Sequence, residues 1–454
     1  MNKIALPPKD RIPNIFNHIS STCPDKFGDY LELFSPVDGK GRYLHFDELQ
    51  YRLPKGVDPA LAWAVVKLAR FKHISTLILL GSPQKPCGFY LTSTIQKAIS
   101  EADRNATSAA LEWMTSKIGE SKHFEYLLHD LVEDEAISSS QLEGAATTTI
   151  VAKDLLKRKR KPRTPDEKMI LGNFKMMKYA WENKDKELSY SLISELHKIG
   201  VEGIDDEKYR PGTFRTTDDV EVVDAEGNTV HTPPSADGLR KRLKSIAEWA
   251  NTNHHDINSK DYVHPLVKAM TLHFSIGYEH PFYDGNGRVA RSLFYWYMFK
   301  NDFAAFRYIA ISVLLKAAPV KYGKSYLYTE SDEMDLTYFL DYQSSITIRA
   351  INEFKNAYKK TLDDIEEFNG WLWNSGLYKK LSDKQQTVFQ VAKSGLAKHF
   401  TISNTKDNLG CSYNTAATAL NGLVDLKLFK KEKIGREWVY SMLSTSKIKE
   451  LWIK

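Results

Sequence analysis

The chain has 454 residues, 42% hydrophobic and 26% charged, a globular composition long enough for more than one core. The net charge of +6 permits an anionic partner without demanding one, and Cys23, Cys87 and Cys411 have neither disulfide-framework nor metal-ligand spacing. No window is apolar enough to span a membrane and the first residues lack a signal core, so a cytoplasmic protein with no membrane association is expected.

Residues 1–105 mix short apolar runs such as Leu77-Ile78-Leu79-Leu80 with turns at Gly39-Lys40-Gly41 and Gly81-Ser82-Pro83, which predicts a mixed α/β region whose role the residues do not declare. From Ala106 the texture becomes helical, with Leu111, Trp113, Met114 and Ile118, then Phe124, Leu127, Leu128, Leu131 and Val132 at helical intervals. In Ser138-Ser139-Ser140-Gln141-Leu142-Glu143-Gly144, Ser139 and Glu143 stand four apart and share a helix face, with Gly144 as the stop; alone this is an ordinary helix end. Lys157-Arg158-Lys159-Arg160-Lys161-Pro162-Arg163 reads more readily as a solvated helix end than as a polyanion site.

The helical texture breaks at Asp219 to Pro234. There Val220, Val222 and Val223, then an Asp/Gly/Asn turn, then Val230, His231 and Thr232 predict a β-hairpin ended by Pro233-Pro234. A helix over Pro265 to Glu279 follows, stopped by Pro281, so His280 belongs at the mouth of the next loop. In Gly285-Asn286-Gly287-Arg288 the glycines admit a close ligand, and the apolar run from Leu293 to Phe299 marks a helix whose free N-terminal amides suit phosphate. Arg288 and Arg291 can project from one helix face toward a phosphate chain. Asp284 is a hard oxygen ligand for Mg²⁺, and His280 can accept the proton of a hydroxyl attacking phosphorus.

Beyond Asn369 the pattern is helix, helix, hairpin. Lys384 to Lys393 and Ser412 to Leu423 are the helices, Leu428 to Lys433 and Glu437 to Ser441 flank a turn at Gly435-Arg436, and a winged helix-turn-helix over 376–454 is expected. Lys427, Lys430, Lys431, Lys433 and Arg436 near the wing suit DNA phosphates and suit a protein-interaction version of the fold equally.

His280-Pro281-Phe282-Tyr283-Asp284-Gly285-Asn286-Gly287-Arg288-Val289-Ala290-Arg291 resembles the signature of the Fic family at every fixed position, and the resemblance extends from about Leu131 to about Tyr342. It covers His273 and Tyr209-Arg210-Pro211-Gly212-Thr213-Phe214-Arg215, and it implies a mainly α fold: an all-helical Fic core over 106–370 carrying a β-hairpin flap. The implied activity is transfer of AMP from ATP to a Ser, Thr or Tyr hydroxyl of a protein, self-modification included, with Mg²⁺ at Asp284 and His280 as general base. Gly285, Asn286, Gly287 and Arg288 would cradle the α- and β-phosphates and Arg291 would reach the γ-phosphate. Tyr322, in Lys321-Tyr322-Gly323-Lys324-Ser325-Tyr326, would line the nucleobase pocket, where many relatives carry two adjacent aromatics and this chain has Gly323.

The same resemblance makes the hairpin, with Val222, Val223, Val230, His231 and Thr232, a flap that docks a target segment by strand addition. It makes Ser139, Glu143 and Gly144 part of an inhibitory motif near 138–144, with Glu143 taking Arg291 from the γ-phosphate. Three alternatives stay open: a DNA-binding regulator whose Fic domain senses nucleotide, an enzyme that also removes AMP, and one that transfers another phosphate-containing group. A homo-oligomer is compatible with all of them.

Overall fold

In the computed structural model the described residues are 4–9, 12–118, 133–158, 160–204, 209–223, 227, 229–393, 399–434 and 437–452. The predicted periodicities at Phe124 to Val132 and the turn at Gly435-Arg436 lie outside them. The fold is mainly α, and among the described residues the strands form three separate two-stranded antiparallel hairpins. The chain divides into two compact units, one of residues 1–108 with 131–352 and one of 109–130 with 353–454.

The first unit is built around two helices, Pro265–Glu279 and Asn286–Lys300, whose residues are buried on almost every side. Helices buried all round, polar residues such as Lys268, Glu279, Arg288 and Arg291 included, are core elements of this unit. Phe294, Tyr295, Trp296 and Met298 are at most 1% exposed, and burial on that scale stabilises by about 1.5–3 kcal/mol per large apolar side chain. Pro165–Glu182 and Tyr190–Val201 pack against this pair, each started by a hydroxyl that accepts from the first turn: Thr164 from the Glu167 N–H and Ser189 from the Leu192 N–H. They approach backbone to backbone, because a Cβ on Gly172 would lie 2.5 Å from the Gly200 carbonyl oxygen.

The N-terminal 105 residues are mixed α/β, as their texture predicts: helices including Pro59–Phe71 and Ser93–Asn105 with one hairpin, Ser75–Leu80 paired to Lys85–Phe89. Arg70 and Glu279 are among the buried polar groups that attach them to the helical core. Arg70 donates to the Tyr338 hydroxyl (2.8 Å), the Leu44 carbonyl (2.9 Å) and the Pro36 carbonyl (3.0 Å), and lies 3.6 Å over the Tyr43 ring. Glu279, fully buried, accepts from the Gly81 N–H at the hairpin turn (2.8 Å) and from Arg242 Nε (2.7 Å) on the helix Leu239–Asn251. Of the basic run, Arg160 is committed internally by a two-pronged pair with Glu167 at 2.8 and 2.7 Å.

Within the second unit, helices Asp383–Lys393, Ile402–Leu409 and Tyr413–Asp425 are followed by the hairpin Phe429–Ile434/Glu437–Met442 and a last helix, Thr445–Trp452. Leu377, Phe389, Leu420, Leu423 and Tyr440 lie in its core. The helix Thr445–Trp452 was not foreseen, and neither was the helix Ile402–Leu409. Its polar run Ser-Asn-Thr-Lys-Asp-Asn hides the periodicity, and a reciprocal capping box between Thr401 and Asn404 supplies the start that its composition does not announce.

Gly172→Ala tests the tightest helix contact. The new methyl overlaps the Gly200 carbonyl, so a loss of about 1–3 kcal/mol is expected, read as a fall of several degrees in the calorimetric Tm. An unchanged Tm would show that the two helices do not meet so closely.

Candidate active site

The site forms where Pro265–Glu279 ends and Asn286–Lys300 begins. Pro281 stops the first helix, and His280 takes a left-handed conformation (φ 46°) rather than the extended one that a following proline favours. Its backbone is held from both sides: the His280 N–H donates to Ile276 (3.0 Å), and Arg215 Nε donates to the His280 carbonyl (2.9 Å). Arg215 is 2% exposed and also donates to the Glu279 and Pro234 carbonyls, while its own N–H donates to the Pro281 carbonyl at 2.9 Å. One buried guanidinium thus ties the start of the hairpin segment to the loop.

The His280 ring is oriented as well. Nδ1 lies 3.2 Å from the Gly277 carbonyl, which can only accept, so Nδ1 carries the proton and Nε2 keeps its lone pair. Burial pushes the imidazole down to about 4, helped by the charge of nearby His231 and opposed by the Gly277 bond and by Glu143. The ring is neutral near pH 7, the state a base requires.

The loop after it is built to hold backbone amides open. Asn286 closes it, Oδ1 accepting from the Phe282 N–H and Nδ2 donating to the Phe282 carbonyl, both at 2.8 Å. Its side chain therefore shapes the cradle from inside. His197 supports the loop from below: its ring stacks on Phe282 (centroids 3.8 Å apart, 6° between planes), Nε2 donates to the Asp284 carbonyl at 2.9 Å, and Nδ1 accepts the Gly212 N–H at 3.0 Å. Gly285 caps the motif helix at φ 81° and offers no side chain to its first amides.

The two arginines diverge. Arg288 runs under the loop, donating from Nη1 to the Gly200 carbonyl (2.7 Å), while its buried Nε and Nη2 meet no acceptor among the described residues. Arg291 turns to the helix at 133–142: Nε donates to Ser139 Oγ (2.8 Å), and Nη2 donates to the Ser139 carbonyl (3.0 Å) and to Glu143 Oε1 (2.7 Å). Glu143 presses so close that a Cβ on Gly287 would sit 2.3 Å from its Oε1. Against burial, which raises it, the Arg291 charge and hydrogen bond hold the Glu143 carboxyl below its usual range. Gly144 follows at φ 96°, a conformation that favours glycine.

The Asp284 carboxylate turns partly inward, with Oδ1 accepting the Gly285 N–H at 2.5 Å. Among the described residues no three His, Cys, Asp or Glu side chains gather around a metal position. Tyr322 meets His273 Nε2 at 2.8 Å and the Tyr326 hydroxyl at 3.5 Å, with its own hydroxyl raised by burial and lowered by Arg291. The predicted hairpin is present as Val222–Val223 paired with Thr229–His231; Val223 and Thr232 are exposed and Val222 and Val230 half-buried. His231 points inward instead, donating from Nε2 to the Tyr278 carbonyl (2.8 Å) and pairing through Nδ1 with Glu330 (2.8 Å). His197, Glu279 and Arg242 escaped the sequence reading because each stands alone in an ordinary helical pattern. Arg215 was visible only as the end of the Tyr209 to Arg215 segment.

Residues 187–298 match the model of the Fic/DOC family. The chain is similar to Protein adenylyltransferase Fic of Nematostella vectensis, 36% identical over 63 residues covering 14% of each chain. It is similar also to Protein adenylyltransferase Fic of Drosophila virilis, 26% identical over 221 residues, 47% of this chain and 41% of that protein. It thus spans less than half the length of these curated relatives. Among solved structures, a Fic family protein from Desulfovibrio desulfuricans G20 aligns with a TM-score of 0.47 at 16% identity, covering 78% of this chain and 97% of that one.

His197 and His280, with His45 near the N-terminus, are each held down to about 4 by burial. The unfolded chain, with histidines near 6.5, then binds more protons than the native one as pH falls from about 6.5 toward 4, so stability must fall in that window. The expected slope is up to about 1.4 kcal/mol per pH unit per histidine, checked by urea midpoints at pH 7 and 5. Equal midpoints would mean that these rings are not buried in neutral form.

Proposed function

We propose that this chain, which carries a Fic/DOC-family domain, is a protein adenylyltransferase whose resting state is self-inhibited. The observation that carries the reading is Arg291 engaged by Ser139 and Glu143 beside a neutral, oriented His280 and an uncapped helix N-terminus. An acceptor hydroxyl of a protein, the chain itself included, attacks the α-phosphorus of ATP. The new O–P bond forms as the bond to the bridging oxygen breaks, pyrophosphate leaves, and the hydroxyl proton passes to His280 Nε2. A positioned base contributes about 10² to 10⁴ in rate.

The amides of Asn286 and Gly287 suit the phosphates, as would that of Gly285 once released by Asp284, and the two Arg288 nitrogens without an acceptor among the described residues suit the same anion. Asp284 fits Mg²⁺, which binds through few protein carboxylates and several phosphate oxygens, and no all-protein metal cage competes with it among the described residues. Bound there, Mg²⁺ would neutralise phosphate charge. Tyr322 on Pro319–Ser331 is assigned to the nucleotide side, and the exposed strand edge at Val222, Val223, Val230 and Thr232 to the target segment. His231 serves this flap as an anchor, since its ring is spent on Tyr278 and Glu330.

Glu143 restrains the site by electrostatic competition. A guanidinium already satisfied by a carboxylate is withdrawn from a γ-phosphate, and whatever moves Glu143 returns it. Removal of AMP by the same site is the alternative activity. For the second unit, the exposed Tyr413, Asn414 and Thr415 opening Tyr413–Asp425, with exposed Lys430 and Lys433 on the hairpin, support a winged-helix reading with nucleic-acid or protein recruitment.

With ATP labelled in its α-phosphate, Glu143→Gly is expected to raise label transfer by roughly 5- to 150-fold, and adding His280→Ala to lower it again by at least about 10². Transfer insensitive to His280→Ala sinks the catalytic assignment. No gain in Glu143→Gly sinks the inhibitory one.

A further inference from the structure

Glu135, Ser139 and Glu143 are spaced four apart, so all three lie along one face of the 133–142 helix and its end. Ser139 and Glu143 spend that face on Arg291. Glu135, one turn back and 4% exposed, spends it on Ser312: the backbone N–H donates to Oε2 at 2.8 Å and the hydroxyl to Oε1 at 2.5 Å. Ser312 is not a free-standing partner. The Tyr295 hydroxyl on the motif helix donates to the Ile309 carbonyl (2.9 Å) and accepts the Ile311 N–H (3.0 Å), so the strip bearing Ser312 is fixed to the helix that carries Arg291.

A helix held to a neighbour at one point can pivot there, and Ser139 is one point. Glu135 is a second, about 6 Å along the axis, and two points on one face fix both the depth and the rotation of the helix. Glu143 needs that help, because it lies in the turn that ends the helix, next to Gly144, and meets Arg291 through one oxygen at 2.7 Å. Of the other bonds of this helix, Asn173 Nδ2 to the Ala136 carbonyl and Ser140 Oγ to the Met169 carbonyl run to Pro165–Glu182, Asp134 pairs with Lys153 (2.9 Å), and Lys316 Nζ donates to Gln141 Oε1 (2.6 Å) in an exposed pair on the strip that bears Ser312.

We propose that Glu135 is a positioning residue for Glu143: its bonds to Ser312 hold the 133–142 helix where Glu143 reaches Arg291, and breaking them is the step that frees Arg291 for phosphate. This inference rests on the reading of Glu143 as the inhibitory group. It adds a residue that touches neither nucleotide nor Arg291 yet sets how often the inhibited arrangement is populated. Burial raises the Glu135 carboxyl, opposed by hydrogen bonds from Ser312 and Tyr295 and by the charge of Arg291, so the latch is held largely by hydrogen bonds that a modest rearrangement can open.

The test uses the full chain in four forms, unaltered, Glu135→Ala, Glu143→Gly and the double substitution, with transfer of label from α-labelled ATP as the readout. Glu135→Ala alone should raise transfer about 5-fold or more, and in the Glu143→Gly background it should change transfer less than about twofold, because a residue that acts through Glu143 has nothing left to act on. A rise in Glu143→Gly with none in Glu135→Ala overturns this proposal and leaves the inhibitory reading standing; so does a fall in both backgrounds, the mark of a merely structural role. No rise in Glu143→Gly overturns the inhibitory reading and this one with it. Hydrogen exchange provides a readout without activity: amides 133–142 should exchange faster in Glu135→Ala, and unchanged protection counts against the latch. Should Glu135→Ala fail to fold, Ser312→Ala removes only the hydroxyl half and must give a smaller rise in the same direction; flat transfer there rejects the proposal.

Discussion

A guanidinium buried to 1% exposure has to be answered by acceptors, and the answer given to Arg291 organises this structure. Ser139 supplies a hydroxyl and a carbonyl, Glu143 supplies the charge, and the helix that bears them is thereby held against the motif helix. Removing a partner from a buried charge costs more than the pair contributes over an apolar alternative. The arrangement is therefore stable as long as nothing else offers Arg291 an anion. A polyphosphate does, which gives the proposed inhibition its physical basis.

Gly287 belongs to the same constraint. Its Cβ position is already filled by the Glu143 carboxylate, so the second glycine of the loop is required by the restrained arrangement independently of any need to admit phosphate. Gly285 answers to a different demand, its φ of 81° and the Arg288 Nη2 that a Cβ would meet at 3.0 Å. Two glycines of one short motif thus have separate reasons to be glycine.

His280 depends on a second set of buried groups. Its left-handed backbone is a conformation that non-glycine residues adopt at some cost, and it persists because the Ile276 carbonyl holds its N–H while Arg215 holds its carbonyl and that of Pro281. Glu279, one residue earlier, joins Arg242 and the turn at Gly81, so the N-terminal hairpin and the helix Leu239–Asn251 converge on the residue beside His280. Substitutions far from the loop along either path should reach His280 through this carboxylate.

The helical texture, the hairpin between Val222 and His231, two helices and the hairpin of the second unit and the residues of the loop were all legible from periodicity, turn residues and a dense local motif, because each depends on neighbours within a few positions. Ser139 and Glu143 were legible as a pair on one face, since i to i+4 is a local relation. The meeting of Glu143 with Arg291 spans 148 residues and came from resemblance alone, while that of Ser139, spanning 152, was not foreseen. The helix Ile402–Leu409 was missed because its start is made by a capping box rather than by apolar repetition.

By itself the sequence determined the local chemistry: a histidine before a proline, a carboxylate before two glycines, two arginines three apart, and an acidic residue at a helix end. The tertiary structure alone decided which of these groups face one another. It separated Arg288 from Arg291, turned His231 inward to Tyr278 and Glu330, set His197 and Arg215 beneath the loop, and gave Glu135 a partner 177 residues away. The reason is physical: the preference for a turn or a cap acts within a few residues, whereas the partner of a buried polar group is chosen by whatever packing brings within hydrogen-bond reach.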